Sequence, residues 1–225
     1  MNLLRAAWLV LRKDLRIEMR TGEVVVTTAM FATLVTVIAS LSFFVEQRSA
    51  KQVAPGVLWI AVAFSGVLAM SRSWSRERDH DVLRGLLQSP IPRSAIYLGK
   101  SLGTVLFLAI VEVVLVLEVA VLFNLDLAPI AWQLALLLAL GTLGFAATGN
   151  LFAAMGTRTS ARDMVLAVAL FPVISPALLC GVVATRELLA GAPISELGAW
   201  LRILGAFDLA FVTAGMLLFE PLVSD

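Results

Sequence analysis

The sequence predicts an all-α integral membrane protein with six transmembrane helices, from its composition and from six long apolar segments. Of its 225 residues, 60% are hydrophobic and 15% are charged, whereas soluble domains average roughly 45–50% apolar and about 25% charged residues. A chain of this size has too little interior to bury so much apolar surface in water. Lipid must therefore solvate much of it, and we expect residues 1–225 to form a single transmembrane domain.

Six segments are long enough to cross a bilayer, whose hydrocarbon core requires about 20 apolar residues in a helix. They are Val24–Phe44, Val53–Ser71, Ser101–Phe123, Ile130–Met155, Met164–Ala184 and Ile203–Phe219. Backbone polar groups in hydrocarbon must be satisfied within their own segment, so we expect each to be a helix. The fifth contains Pro172 and Pro176, which remove backbone donors and predict a kink.

The distribution of basic residues predicts the orientation of the chain. Thirteen of them lie in the N-terminal segment and in the second and fourth loops, against four on the opposite side. Lys and Arg are enriched on the cytoplasmic side of membrane proteins. Both termini are therefore expected to face the cytoplasm, which agrees with an even number of spans.

The first 23 residues predict an amphipathic helix that lies on the membrane surface. At 100° per residue, one apolar stripe is formed by Leu4, Trp8, Leu11, Leu15 and Met19. The basic residues fall on the adjoining arc, while Asp14 and Glu18 lie on the other side of the stripe. A basic amphipathic helix binds at the lipid headgroups. It either only anchors the chain or also closes one flank of the helix bundle.

Residues 72–100 form the longest polar stretch, and a second amphipathic helix is predicted within Ser73–Pro92. Its apolar face consists of Val82, Leu83, Leu86 and Leu87. Pro90 and Pro92 end the helix. So short a helix needs a surface to pack on, either the ends of its own spans or a soluble partner. An apolar centre flanked by Glu77, Asp79 and Asp81 has the composition of a docking surface.

The residues needed for an enzyme site are missing from the sequence. Gly99-Lys100-Ser101 resembles the end of a phosphate-binding loop, but Ser94 occupies the position of the required first glycine. His80 is the only histidine and Cys180 the only cysteine, so neither a histidine-based metal cluster nor a disulfide framework can form. We expect no catalytic, metal or directly bound cofactor site and no nucleic-acid partner.

Three acidic residues lie inside predicted spans, where carboxylates are costly and often functional. Glu112 is near the middle of the third span. Glu118 and Asp208 are each about five residues from the outer ends of the third and sixth spans. Their matched depth predicts that they meet in one polar patch. They either form a substrate or proton pathway or provide hydrogen bonds between helices.

Nearly the whole chain resembles the haem exporter protein B family (CcmB), the permease subunit of the ABC-type cytochrome c maturation system. The matching stretches are Ala54–Trp59, Arg76–Pro92, Leu143-Gly144-Phe145 with Gly149, Pro172 with Pro176, Gly205–Asp208 and Leu218–Glu220. Together and in this order they are fairly specific. Arg84 is a departure, because the family pattern has an acidic residue there.

The resemblance implies a permease of the ABC-2 type in the bacterial inner membrane. ATP would be bound and hydrolysed by a separate ATPase subunit, and haem would be the transported or handled ligand. The N-terminal helix would be the elbow helix, and the segment within residues 72–100 would be the coupling helix. The implied ATPase interface comprises Glu77, Asp79, Asp81, Leu83, Leu86, Leu87 and Pro90.

Further partners implied by the resemblance are a second copy of the chain, a haem-handling membrane protein and a periplasmic haem chaperone. The work of ATP would either export haem or release the haem-loaded chaperone. Two other hypotheses stay open. One is a stand-alone proton-coupled transporter that uses Glu112, Glu118 and Asp208, although no inverted repeat of the kind usual in that class is recognisable. The other is a membrane assembly scaffold.

Overall fold

A computed structural model describes residues 2–42, 47–79, 85–86, 88–156 and 162–223. Within these ranges the chain forms seven long helices and one short 3₁₀ helix. They are α1 (Leu3–Thr21), α2 (Glu23–Ser42), α3 (Gln47–Asp79), α4 (Arg93–Leu122), the 3₁₀ helix Ala128–Ile130, α5 (Ala131–Gly156), α6 (Arg162–Leu189) and α7 (Gly198–Val223). Six of them, α2 to α7, are long and apolar enough to cross a membrane. The all-α fold and the six spans are thus confirmed.

Several helices extend beyond the predicted spans. Helix α3 has 33 residues and is about 50 Å long, which exceeds the ~30 Å hydrocarbon core. Its last turns include Ser73–Asp79, so the first part of the predicted second amphipathic helix continues α3. Helix α4 begins at Arg93, directly after Pro92, and α7 begins at Gly198, five residues before the predicted span.

Helix α5 is central in the bundle and packs against α3, α4, α6 and α7, while α1 packs on α4, and α2 packs on both α3 and α4. The buried apolar residues form two large clusters stacked along the bundle. One, near the α4–α5 connection, includes Trp59, Leu115, Phe123 and Leu188. The other, near α1, includes Met70, Trp74, Tyr97 and Phe219. The chain therefore has a packed interior on both sides of the membrane midplane.

Glycines allow the large aromatic side chains of this interior to lie close to neighbouring helices. The Trp59 ring lies between Gly141 and Gly181, where an added Cβ would come within 2.4 and 2.5 Å of it. Trp59 Nε1 donates a hydrogen bond to Thr185 Oγ1 at 3.0 Å. Small residues at helix contacts are the usual means of close packing in membranes, and here they fix α3 against α5 and α6.

Both prolines of the fifth span lie inside α6, which continues as a helix from Arg162 to Leu189. Ser175 Oγ donates to the Pro172 carbonyl oxygen at 2.8 Å, a local hydrogen bond of the kind that accommodates proline in membrane helices. The kink at Pro172 and Pro176 stays a prediction.

Candidate functional site

Helix α1 is amphipathic, as predicted, but it has a protein-facing side as well as a lipid-facing side. Leu4, Trp8 and Met19 of the predicted apolar stripe are 79%, 57% and 81% exposed, as expected for side chains directed toward lipid, whereas Leu11 of the same stripe is buried. The buried side consists of Ala6, Ala7, Val10, Leu11, Asp14 and Glu18. It packs on α4 so closely that a Cβ on Gly99 would lie 2.7 Å from the Ala7 carbonyl oxygen. Helix α1 therefore does close a flank of the bundle.

Four buried or half-buried charged residues meet where α1, α3 and α4 touch. We call this group, Lys13, Asp14, Glu77 and Lys100, the charge cluster. Glu77 Oε1 lies 2.5 Å from both Lys13 Nζ and Lys100 Nζ. Asp14 bridges the same two cations, with Oδ1 3.0 Å from Lys13 and Oδ2 3.0 Å from Lys100. Two cations and two anions thus alternate in a closed ring.

Lys100 is the most buried member, with a side chain only 2% exposed. Its Nζ also lies 3.5 Å from Ser73 Oγ and 5.9 Å from the centroid of the Trp74 ring. Ion pairs and a nearby aromatic face are what compensate an ammonium group for lost water. This lysine therefore belongs to the interior of the protein and not to a phosphate-binding loop.

A second set of ion pairs extends the contact to the start of α2. Arg76 NH2 lies 2.9 Å from Glu18 Oε2, and Arg76 Nε lies 3.3 Å from Glu23 Oε2. The other oxygen of Glu18 accepts the backbone N–H of Val25 at 2.7 Å. Because Gly22 adopts a left-handed conformation (φ +61°) and ends α1, the chain turns so that Glu18 can reach the first turn of α2.

The cluster also determines the protonation of Lys13. Burial by itself would lower the pKa of Lys13, but attraction and hydrogen bonding to Asp14 and Glu77 outweigh it, so the pKa is raised above its usual 10.5. With Lys13 and Lys100 positive and Asp14 and Glu77 negative, the cluster is neutral overall. Removing any one member leaves an unbalanced charge in a largely dehydrated site.

The sequence predicts that Glu77 lies on the charged rim of a docking surface, and this prediction is wrong. Its side chain is 4% exposed and bonded to two lysines within the chain. The sequence alone does not reveal this, because hydropathy places Ser73–Asp79 in a helix separate from the second span. A signal was present: Asp14 and Glu18 lie on the same face of α1 as Ala6, Ala7 and Val10, and acidic residues on an apolar face require partners.

The rest of the predicted interface is partly visible. Leu86 is half-buried and packs against the cluster of Trp74 and Phe219, so at least this leucine contacts its own bundle. Pro90 is exposed. Asp81, Leu83, Leu87 and the side chain of Asp79 lie outside the described residues. The interface role of this segment stays a prediction.

Each intramembrane carboxyl group has its own surroundings. Thr142 Oγ1 of α5 donates to Glu112 Oε1. Thr33 Oγ1 of α2 donates to Glu118 Oε1 at 2.5 Å. Asp208 is 5% exposed and lies against Gly144, and neither of its oxygens has a hydrogen-bond partner among the described residues. Two of the three groups therefore join neighbouring helices.

The premise that Glu118 and Asp208 share a depth is wrong. Since α7 begins at Gly198, Asp208 lies ten residues inside its helix. It contacts α5 at Gly144, two residues from the Thr142 that bonds Glu112. Glu112 and Asp208 are thus the pair at similar depth, while Glu118 lies six residues, or about 9 Å, farther along α4 and contacts α2. The described contacts form no polar patch shared by Glu118 and Asp208.

The six spans, the surface helix and the ion-paired end of the bundle define a multi-pass α-helical membrane protein. The model of the CcmB protein family matches residues 5–220, and the chain belongs to this family.

Individual relatives agree along most of the length. The chain is 25% identical to "Heme exporter protein B" of Bradyrhizobium diazoefficiens over 205 residues, which are 91% of each protein. It is also 25% identical to the protein of that name from Haemophilus influenzae over 204 residues, 91% of this chain and 90% of the relative. The Escherichia coli K12 protein is 28% identical over 93 residues, 41% of this chain and 42% of that protein.

Proposed function

We propose that this chain is the membrane-embedded permease subunit of an ABC-type haem export complex that serves cytochrome c maturation. The observation that carries the proposal is the family match over residues 5–220, with full-length relatives named as heme exporter proteins. ATP hydrolysis belongs to a separate ATPase subunit. The chain itself either forms the passage for haem through the membrane or undergoes the conformational change that releases the haem-loaded chaperone. Two copies of it act beside a haem-handling membrane protein and a periplasmic haem chaperone.

The ATPase binds the segment between α3 and α4 on the cytoplasmic side of the bacterial inner membrane. The excess of basic residues on the α1 side of the bundle supports this orientation. The segment follows directly after Asp79, the last residue of α3. Its exposed Pro90 and half-buried Leu86 leave part of it available to a partner.

The charge cluster connects this segment to the rest of the subunit. Glu77 lies two residues before the end of α3 and is ion-paired to Lys13 of α1 and Lys100 of α4. A displacement of the segment by the ATPase is therefore passed to α1 and α4 together, because separating either helix from Glu77 would leave a buried charge unpaired.

The proposal is tested in cells that lack their own copy of the gene and receive this chain. The native chain restores covalently haem-bearing c-type cytochromes. The double variant Leu86→Asp/Leu87→Asp does not, because each lost leucine contact contributes roughly 1.5–3 kcal/mol and a carboxylate opposes burial. The matched control is Gln88→Asp, which adds a charge at an exposed position of the same segment and keeps maturation intact.

Three results contradict parts of the proposal. Normal maturation with the double variant at normal membrane abundance rules out leucine-mediated ATPase docking. If the native chain does not restore cytochrome c maturation, a role as the haem exporter subunit in this host is ruled out. Haem movement by the purified chain alone, lost in Glu112→Gln or Asp208→Asn and independent of ATP, favours a proton-coupled transporter.

A further inference from the structure

A groove of about 610 Å³ runs between α4 and α5 and reaches the α4–α5 connection, at the end of the bundle opposite to α1. Small side chains form much of its wall, namely Ala109, Ala120, Ala128, Ala131, Ala135 and Ala139. Val113 and Leu117 at its edge are 63% and 62% exposed, so the groove faces the surrounding bilayer. Its contents must therefore be apolar along most of its length.

The groove ends within the bilayer. Its innermost point on α5 is Thr142, whose hydroxyl group is bonded to Glu112. From Ala131 to Thr142 the α5 wall is about 17 Å long, and from Val105 to Ala120 the α4 wall is about 22 Å long. Both are shorter than the ~30 Å hydrocarbon core. An apolar wall of this length that opens to the bilayer fits the acyl chain of a phospholipid.

A polar pocket of about 590 Å³ adjoins the outer end of the groove. Lys51, Asn124 and Asp126 line it, and Leu125 and Asp126 line the groove as well. Asp126 Oδ1 accepts the backbone N–H of Ala128 at 3.1 Å, which fixes the carboxylate at the mouth of the groove. Lys51 and Asp126 offer one positive and one negative charge at the level of the lipid headgroups.

We propose that this composite site binds one zwitterionic phospholipid, such as phosphatidylethanolamine, from the leaflet opposite to α1. The acyl chain occupies the α4–α5 groove, Lys51 pairs with the phosphate group and Asp126 pairs with the ammonium group. An anionic phospholipid lacks the ammonium group and is bound more weakly. The bound lipid covers the alanine wall and becomes part of the surface of the subunit on that side.

The test counts lipids retained by the purified protein in native mass spectrometry, with equal amounts of phosphatidylethanolamine and phosphatidylglycerol added. The native chain is expected to retain one phosphatidylethanolamine. Ala135→Phe fills the groove and removes it. The matched control is Ala210→Phe on the exposed side of α7, which retains the lipid. Asp126→Asn lowers the preference for phosphatidylethanolamine about fivefold, the size of one exposed ion pair, and Lys51→Gln weakens both lipids.

A phospholipid with a photoreactive group on its acyl chain provides a second measurement on the native protein, independent of the folding of any variant. The label is expected on α4 and α5 between residues 105 and 142. Equal labelling of the exposed faces of α2 and α7, or equal lipid retention by Ala135→Phe and Ala210→Phe, would show adventitious lipid only and overturn the proposal. The proposal would also be overturned if the native protein retained no phospholipid and instead bound haem, and if Ala135→Phe abolished that haem binding.

Discussion

Neutralising Glu77 tests whether the charge cluster holds the end of the bundle together. Glu77→Gln leaves two cations and one anion, because Lys13 and Lys100 then share only Asp14. Breaking a buried ion pair by removing one partner costs about 3–5 kcal/mol. Lys13 is 28% exposed and retains some water, so the penalty falls mainly on Lys100. We expect a loss of about 3 kcal/mol in the free energy of unfolding.

Lys100→Met leaves the opposite imbalance, two anions and one cation, and is expected to cost a similar amount. The double variant Glu77→Gln/Lys100→Met is neutral again, since Lys13 and Asp14 remain paired at 3.0 Å. It is expected to be more stable than the sum of the two single effects by about 2 kcal/mol, within the range of coupling between residues in contact.

The assay is unfolding in mixed detergent micelles, followed by tryptophan fluorescence, for the native chain, both single variants and the double variant. The control is Arg12→Gln, which removes an exposed cation from α1, the helix of Lys13 and Asp14. Its free energy of unfolding is expected to change by no more than about 0.5 kcal/mol. Single variants that each cost less than about 1 kcal/mol, or effects that simply add in the double variant, would refute the view that the cluster is a coupled unit.

Two further predictions concern close packing and pH. Gly181→Ala is expected to lower the free energy of unfolding by about 1–3 kcal/mol, since the added Cβ would lie 2.5 Å from the Trp59 ring. The control Gly56→Ala is expected to be tolerated, because there is open space around Gly56. Equal melting temperatures for the two variants would contradict this description of the packing. Because the folded pKa of Lys13 is raised above 10.5, its contribution is complete below the unfolded value of about 10.4 and is lost as the pH rises through the folded value. The difference in unfolding free energy between the native chain and Lys13→Gln should therefore be constant at neutral pH and shrink above pH ~10.5. A difference that shrinks when the pH is lowered from 9 to 7 would contradict this prediction.

Much of the architecture follows from the sequence because hydrophobicity determines where a chain can lie in a membrane. All six spans and the amphipathic α1 were predicted and are present. The helix ends were less predictable. Helix α3 continues through Arg72, Arg76 and Glu77, residues that look like a loop by hydropathy, because their charges are satisfied by α1, α2 and α4.

The contacts among the acidic residues could not be obtained from one sequence. The depth of Asp208 was misjudged because α7 starts before its apolar segment, at Gly198. The partner of Glu118 was unpredictable because a helical wheel gives the face of α4 and not the helix that covers it. Thr33, Thr142 and Gly144 have no sequence signal that marks them as neighbours of carboxyl groups. Such pairings depend on the order in which the helices pack.

ATP hydrolysis by the complex purified through a tag on this chain distinguishes a permease subunit of an ABC-type exporter from a transporter that acts alone. The native chain is expected to carry an ATPase subunit, and the preparation is expected to hydrolyse ATP. Leu86→Asp/Leu87→Asp should lose both the subunit and the activity, and Leu87→Asp alone, which keeps the contact of Leu86 with its own bundle, should do the same. Gln88→Asp should keep both. An intact double variant that carries its ATPase at normal yield, or a native chain that purifies without any ATPase, would contradict the assignment of this chain as the permease subunit of an ABC-type exporter.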